Sequence, residues 1–292
     1  MHHPTAPDGN ETMQLDFTKM HGLGNDFAII DLITQTATLK PEAIARMADR
    51  HTGIGFDQLL VVEPPTIPDA DFRYRIFNAD GSEAEQCGNG ARCFARFVRD
   101  RGLTVKSVIT LETNTGRVEC RLRENGQVEV DMGEPVFDPS ALPCVATEQC
   151  VLDGDSARVQ IDNESFDLAL VSMGNPHAVL ICEDIFAAPV TELGPRIQQL
   201  SAFPQGVNVG FCQVIDRGFL RLRVYERGAG ETRACGSGAC AAVAAAQRRG
   251  LVDERVKVSL PGGKLRLSWQ GPGSRIRMLG PAAAVFEGRI EL

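Results

Sequence analysis

The sequence predicts an α+β protein built from two related halves, and two observations support this. Residues 75–91 recur as residues 223–239 at a constant offset of 148, with six of the 17 aligned positions identical. Each copy is typical of a strand end, a polar loop and Cys-Gly-x-Gly-Ala, followed by a helix-compatible run. A repeat of this length has the size of a domain rather than of a solenoid unit. The 292-residue chain is long enough for two such domains.

The first half begins after a polar stretch. Residues 1–12 lack the apolar core of a secretory signal and are predicted to be a disordered extension, so the folded part begins near Met13. A helix is predicted to open at Pro41, in the first helical position, and to run to Arg50. Strands are predicted over 15–19, 28–33, 59–63, 106–112, 116–122 and 127–132.

The second half repeats this order. Pro, Asp and Ser become frequent over 133–143, which places the predicted junction there, between domains 13–133 and 134–279. A helix is predicted over 191–201. Strands are predicted over 158–161, 167–172, 178–182, 255–259, 264–269, 275–278 and 289–292.

Composition and charge narrow the functional classes. The hydrophobic fraction of 43% is ordinary for a soluble protein. A net charge of −8 and a pI near 5.2 argue against nucleic acid as a partner. No apolar run has the length of a membrane span. The nine cysteines are odd in number and lack the spacing of a disulfide scaffold, so we expect free thiols and a cytoplasmic protein.

Each repeat places one cysteine, Cys87 or Cys235, at the start of its predicted helix. Both helices are predicted to stop at a glycine preceded by arginine, Gly102 and Gly250. Unpaired backbone N–H groups and the helix dipole favour a negative charge at a helix start. We therefore expect the pKa of each thiol to fall below its free value of about 8.5. The glycines after each cysteine leave backbone amides open to a carboxylate.

Polar side chains recur at the glycine-flanked turns around the two cysteines. They are Asn25, Gln58, Asn78, Asn89, Asn175, Asn208, Glu226, Arg227 and Ser237. Amides pair with both ammonium and carboxylate groups, and Arg227 can hold a carboxylate through two hydrogen bonds. Such a pocket suits a zwitterionic amino acid. The backbone amides of Gly88, Asn89, Gly236 and Ser237 are expected to stabilise charge that develops on its carboxylate.

Two similar thiols from two similar domains suit a reaction at a stereogenic carbon. A racemase removes a proton from one face and returns one to the other, so it needs a base and an acid that exchange roles. A thiolate and a thiol meet this need. No lysine lies in a recognisable pyridoxal-phosphate context, so we expect no cofactor. Because the Cys87/Cys93 spacing is not that of a zinc site and no Cys-x-x-Cys occurs, we also expect no metal.

These motifs together resemble the diaminopimelate epimerase family of cofactor-independent, two-cysteine amino-acid epimerases. The resemblance runs from about Met13 to the C-terminus and is carried by residues 21–27, 55–58, 77–82, 87–93, 174–177, 226–228 and 234–239. It implies interconversion of LL- and meso-2,6-diaminopimelate in lysine and peptidoglycan-precursor synthesis. It further implies Cys87 and Cys235 as base and acid, His177 and Glu226 as polar neighbours that tune the thiols, and the polar set above as substrate ligands.

The resemblance also implies an architecture. It is that of two pseudo-symmetric domains, each a mostly antiparallel strand barrel around a central helix, with the active site in the cleft between them. The C-terminal strand, 280–292, is expected to return to the first domain. A homodimer with a small amino-acid substrate is expected, with neither nucleic acid nor membrane as a partner.

Three other interpretations stay open from the residues. One is a two-cysteine racemase acting on proline or hydroxyproline, for which a pocket with Asn25, Asn208 and Arg227 holds more polar groups than the substrate needs. A second is a redox sensor whose two cysteines form a disulfide, a function that would survive loss of every amide ligand. The third is a non-catalytic binding module, which would not need both cysteines.

Overall fold

The computed structural model describes residues 14–84 and 87–291. The extension predicted over residues 1–12 lies outside this part of the chain. Strands of the first half are β1 (Gln14–Gly22), β2 (Asn25–Asp31), β3 (Gln58–Glu63), β4 (Phe72–Asn78), β5 (Glu83–Ala84), β6 (Val108–Thr113), β7 (Gly116–Leu122) and β8 (Val128–Asp131). Its helices are α1 (Pro41–Ala48) and α2 (Gly88–Asp100).

The second half follows a 3-10 helix, Pro139–Ala141. Its strands are β9 (Cys150–Asp153), β10 (Ser156–Ile161), β11 (Glu164–Ser172), β12 (Pro176–Ile181), β13 (Asn208–Asp216), β14 (Phe219–Glu226), β15 (Gly230–Thr232), β16 (Arg255–Leu260), β17 (Gly263–Ser268) and β18 (Arg277–Gly280). Its helices are α3 (Val190–Gln198) and α4 (Gly236–Arg248), and the chain continues into β19 (Ala283–Glu291).

The two halves share one strand order. In the first, hydrogen bonds connect β19, β1, β2, β3, β4, β6, β7 and β8. In the second they connect β10, β11, β12, β13, β14, β16, β17 and β18. The parallel pairs β2/β3 and β4/β6 recur as β12/β13 and β14/β16. The predicted α+β fold of two pseudo-symmetric halves is therefore confirmed.

Two strand pairings join the halves. Strands β8 and β18, which hold equivalent places, pair antiparallel with each other and merge the two sheets. Strand β19 pairs with β1, just as β10 pairs with β11, so the end of the chain belongs to the sheet of the first half. The domain limits 13–133 and 134–279 stay a prediction.

Helices α2 and α4 form the centre of each half. Helix α2 is buried from Gly88 to Ala95, and α4 from Gly238 to Ala246, so both are surrounded by sheet rather than lying on it. Their apolar side chains belong to one continuous core cluster. Both end as predicted, because Gly102 and Gly250 adopt left-handed backbone angles, with φ of 70° and 71°.

The boundaries differ from prediction in a few places. Helix α1 ends at Ala48 rather than Arg50, because the Asp49 carboxylate accepts the N–H groups of His51 and Thr52 in a turn. Strands β5, β9, β13 and β15 were not predicted. Of these, β9 forms by pairing with β10 over Cys150–Asp153, and β13 forms by pairing with β12 and β14. Within the described chain, no helix combines the length and apolar character needed to cross a membrane.

Candidate active site

Cys87 is the N-cap residue of α2, as the sequence predicts. Its Sγ accepts a hydrogen bond from the Gly90 N–H at 3.3 Å, which satisfies one of the unpaired amides of the first helical turn. On its other side Sγ lies 3.8 Å from Asn25 Oδ1. The Tyr74 hydroxyl donates to the Cys87 carbonyl at 3.2 Å. The thiol is therefore fixed at the helix start.

Cys235 occupies the equivalent N-cap of α4 and is only 4% exposed. Its Sγ lies 3.7 Å from the Ser237 hydroxyl, and the Glu226 carboxylate is close enough for its charge to act on the thiol. Glu226 ends β14 and also accepts a hydrogen bond from the Thr232 hydroxyl. The carboxylate is thus held where it can take the proton of the Cys235 thiol.

The expected lowering of the two thiol pKa values is wrong. Burial raises the pKa of Cys87 from 9.0 to about 11, although the Gly90 N–H and the Arg92 guanidinium act in the opposite direction. Burial, together with the Glu226 charge, raises the pKa of Cys235 well above 9.0. The helix starts do favour the thiolates, but desolvation outweighs them, so both cysteines are held as thiols near neutral pH.

Alkylation can test this protonation state. In a Cys235→Ala protein without substrate, we expect the rate of Cys87 alkylation by iodoacetamide to rise about tenfold per pH unit between about pH 7 and 10, because only the thiolate reacts. Peptide mass spectrometry separates Cys87 from Cys182, which is also partly exposed. A plateau below pH 9 would show that Cys87 carries an ordinary or lowered pKa.

The predicted first-half ligands form a connected set of amides. Asn25 donates to Asp57 Oδ2 at 2.9 Å, and Gln58 donates to Asn78 Oδ1 at 3.0 Å. These bonds join the starts of β2 and β3 to the end of β4, because strands β2 and β3 are parallel and begin at the same edge. Sequence reasoning overlooked Asp57, whose carboxylate orients Asn25.

The second-half ligands are connected in the same way. Asn175 donates to the Ser237 hydroxyl at 3.3 Å, which brings the start of β12 to the first turn of α4. Asn208 donates to the Pro176 carbonyl at 3.1 Å and accepts from the Arg227 N–H at 2.9 Å. The Arg227 guanidinium donates to the Gln205 carbonyl at 3.0 Å.

His177 lies beside these amides, fully buried. Its Nε2 is 3.0 Å from Asn175 Oδ1, an acceptor, so Nε2 carries the proton. Burial, helped by the Arg227 charge, lowers the pKa of His177 from 6.5 to about 3, so the ring is neutral at any physiological pH. The neutral ring positions Asn175, and within the described chain its recorded hydrogen-bond partner is this amide. Its predicted role in tuning the thiols stays a prediction.

The starts of α2 and α4 pack against each other, and this brings the two halves of the site together. Asn89 Nδ2 donates across the halves to the Ala234 carbonyl at 3.0 Å. A Cβ on Gly88 or Gly236 would lie 2.9 or 3.1 Å from Cε of Met278, which fills the space between the helix starts. These glycines therefore serve close packing as well as the exposure of amides.

Sequence reasoning also overlooked Arg92, one turn after Cys87. Its side chain is fully buried and donates to Asn89 Oδ1 at 2.9 Å. At the offset of 148 residues Arg92, directly after the first copy, corresponds to Cys240. A charged residue in the predicted helix with no charged counterpart in the second half is the signal that could have marked it. Metal-ligating side chains form no cluster of three or more within residues 14–84 and 87–291.

Comparison with known proteins gives a consistent result. A family model described as diaminopimelate epimerase matches residues 17–137 and 169–285. The diaminopimelate epimerase of Azotobacter vinelandii is 59% identical over 280 residues, covering 96% of this chain and 100% of that protein. The diaminopimelate epimerase of Stutzerimonas stutzeri is 57% identical with the same coverage.

Solved structures show a shared fold at much lower identity. A hydroxyproline epimerase from Agrobacterium vitis superimposes with a TM-score of 0.70 at 15% identity, covering 96% of this chain and 93% of its own. A PhzF-family phenazine biosynthesis protein from Bacillus anthracis gives a TM-score of 0.66 at 17% identity, covering 96% and 100%. At these identities the likeness describes the fold alone.

Proposed function

The chain belongs to the diaminopimelate epimerase family, and we propose that it is an isomerase that interconverts LL- and meso-2,6-diaminopimelate with Cys87 and Cys235 as its two acid–base groups. The observation that carries this proposal is the equivalent placement of the two thiols. Each occupies the N-cap position of the central helix of one half, and the two helix starts pack together across Asn89 and Met278. A substrate carbon held between them would have one thiol on each face.

The proton transfers follow from the contacts of each thiol. Glu226 takes the proton of Cys235, and the resulting thiolate removes the α-proton of the substrate. The electron pair of the broken C–H bond passes into the substrate carboxylate, where the N–H groups of the helix starts stabilise it. The Cys87 thiol then delivers its proton to the opposite face, leaving a Cys87 thiolate that performs the reverse reaction.

The polar groups around the thiols supply the substrate contacts in this proposal. In the first half, Asn25 lies beside Cys87, and Gln58 bonds to Asn78. In the second half, Ser237 lies beside Cys235 and bonds to Asn175, while Asn208 bonds to Arg227. Diaminopimelate carries an ammonium and a carboxylate at each end. One group of polar side chains can therefore bind the end that reacts, and another group can bind the opposite end. Proline has one such end, which would leave buried amides unpaired.

A substrate panel tests the proposal. Thiol-reduced protein is incubated, with no cofactor added, with LL-diaminopimelate, L-proline or trans-4-hydroxy-L-proline, and product stereochemistry is followed by chiral chromatography. We expect meso-diaminopimelate from the first and no epimer from the others. Turnover of a proline substrate alone would overturn the substrate assignment. Failure with all three, from folded and reduced protein, would favour the redox-sensor interpretation.

We place the enzyme in the cytoplasm, in lysine and peptidoglycan-precursor synthesis. All nine cysteines are unpaired, and a reducing compartment keeps the catalytic pair as thiols. The net charge of −8 supports an enzyme with a small-molecule substrate and neither nucleic acid nor membrane as a partner.

We further propose a homodimer, supported by apolar side chains exposed on β19. Val285 is 57% exposed and Phe286 is 48% exposed on this strand. We expect the protein to sediment as a dimer at micromolar concentration and Phe286→Glu to shift it towards monomer, because a buried carboxylate would disrupt the contact. Phe186→Glu, at a 76% exposed site in the second half, is the matched control. A wild-type monomer would contradict the proposal.

A further inference from the structure

Arg92 is a buried arginine without an ionic partner. Its side chain is fully buried, and none of the ion pairs in the described part of the chain includes it. The ordinary arrangement for a buried guanidinium is a carboxylate partner, because removing an unpaired charge from water is costly. A buried arginine with only neutral partners therefore requires an explanation in terms of what those partners do.

Those partners come from the start of α2 and from β18 with the residue after it. Nη2 donates to Asn89 Oδ1 at 2.9 Å, and Nε donates to the Pro281 carbonyl at 3.2 Å. Nη1 lies 3.5 Å from the Gly88 carbonyl and 3.6 Å from the Met278 sulfur. Gly88 and Asn89 follow Cys87, whereas Met278 is the residue against which both helix starts pack. Arg92 thus joins the start of α2, next to Cys87, to β18 and to Pro281 directly after it.

The contact with Asn89 fixes which way its amide faces. A guanidinium has donors and no acceptor, so Asn89 must present its oxygen to Arg92 and its NH₂ group to the other side. There Nδ2 meets two acceptors, the Ala234 carbonyl at 3.0 Å and Asn25 Oδ1 at 3.2 Å. Ala234 directly precedes Cys235, and Asn25 Oδ1 is also the neighbour of Cys87 Sγ.

We propose that Arg92 is a positioning residue that orients the Asn89 amide. This amide acts as a clamp between the starts of α2 and α4, here called the Cys87 turn and the Cys235 turn. The clamp sets the separation and register of the two thiols before substrate arrives. Arg92 itself touches neither the substrate carbon nor a transferred proton. Its charge favours the Cys87 thiolate, and its positioning role acts through Asn89. This inference deepens the proposed epimerase function and rests on it, although the clamp itself can be detected without substrate.

The main test replaces the Arg92 guanidinium, which can only donate hydrogen bonds, by a glutamine amide, which can donate or accept them. In Arg92→Gln we expect kcat to fall about 100-fold with KM changed less than about threefold, because a small misplacement of reacting groups has an effect of this size. Arg92→Lys keeps a donor-only cation and should retain kcat within about tenfold of the wild type. Arg99→Gln, at an exposed position of the same helix, is the matched control.

A substrate-free measurement separates this inference from the proposed function. Cys235 is 4% exposed, and we expect its labelling by iodoacetamide to accelerate at least about tenfold in folded Arg92→Gln, since its turn loses the bond at Ala234. A merely structural role would lower Tm but leave both the labelling rate and kcat per folded molecule at wild-type values, and that result would overturn the proposal. A protein without epimerase activity that still shows faster labelling would reject the function and keep the clamp.

Asn89→Asp covers the case in which Arg92→Gln does not fold. The new carboxylate would pair with Arg92 and relieve the uncompensated charge, so this variant should fold at least as well as the wild type. Its second oxygen would face the Ala234 carbonyl and Asn25 Oδ1, which are both acceptors. We expect faster Cys235 labelling and a kcat loss of about the same size as in Arg92→Gln. Wild-type labelling and kcat in Asn89→Asp would overturn the clamp.

Discussion

Cys87→Ala and Cys235→Ala are each expected to reduce epimerisation by about 10³-fold or more. Each variant keeps one proton-transfer group and lacks the group on the opposite face, so the substrate carbon can lose a proton but cannot receive one with inverted configuration. The measurement is the rate of meso-diaminopimelate formation from the LL isomer. Because the substitution removes one sulfur atom at a helix start, circular dichroism and Tm should stay close to those of the wild type.

The control for this prediction is Cys182→Ala. Cys182 is also partly exposed but lies after β12, outside the two cysteine turns, so its loss should leave the rate unchanged. We further expect α-proton exchange with solvent to continue in one of the two catalytic variants, since the remaining thiolate can still remove and return a proton on its own face. Full activity in either catalytic variant would exclude a two-base reaction.

Glu226→Gln is expected to lower kcat/KM by about 10²- to 10³-fold, the range typical of losing a positioned acid–base group. Glu226 is the carboxylate whose charge acts on the Cys235 thiol, and a glutamine of the same shape can accept a hydrogen bond but cannot take the proton. The loss must be equal in both directions, because the enzyme cannot alter the equilibrium between the isomers. Glu192→Gln, at an exposed position in α3, should have no effect.

The pH dependence of the wild type adds a second readout for Glu226. Burial raises the pKa of this carboxyl group above its ordinary 4.5, although hydrogen bonds from Thr232 and Cys235 act in the opposite direction. Protonation removes the base, so kcat/KM should decline as pH falls, at a higher pH than for an exposed glutamate. In Glu226→Gln this decline of kcat/KM at low pH should be absent. An unchanged decline would show that another group titrates there.

Much of the fold could be predicted because it is repeated. The offset of 148 residues places Cys87 and Cys235 in equivalent settings, and the structure gives both of them N-cap positions on central helices. Local signals also located the helix ends at Gly102 and Gly250, where a left-handed residue is required. Strand β9 was missed because only its pairing with β10 defines it.

The electrostatics of the site could not be predicted from local sequence. A helix start lowers the pKa of a thiol. How much water the fold removes from Cys87 and Cys235 depends on the packing of the whole molecule, and here this desolvation raises the pKa by more than the helix start lowers it. His177 illustrates the same limit. The resemblance implied a polar neighbour that tunes the thiols, but that the ring would be buried and neutral against Asn175 could not be inferred from the motif.

Arg92 shows where symmetry arguments stop. Arg92 follows the repeated segment and corresponds to Cys240 at the same offset, so a search for shared residues passes over it. Its role depends on the Asn89 and Ala234 contacts, which join residues far apart in sequence. Differences between the two copies are therefore as informative for the site as their identities.

The most direct test of the two-base account is the fate of the label in heavy water during the first few per cent of reaction from LL-diaminopimelate. The account predicts that meso product carries a full α-deuterium at the inverted centre, because the donor thiol has already exchanged with solvent, while recovered LL substrate carries almost none. The thiol that removes the proton and the thiol that donates one are then different groups. Early meso product that retains the original proton, or LL substrate labelled as fast as product forms, would indicate a single base serving both faces and would contradict the account.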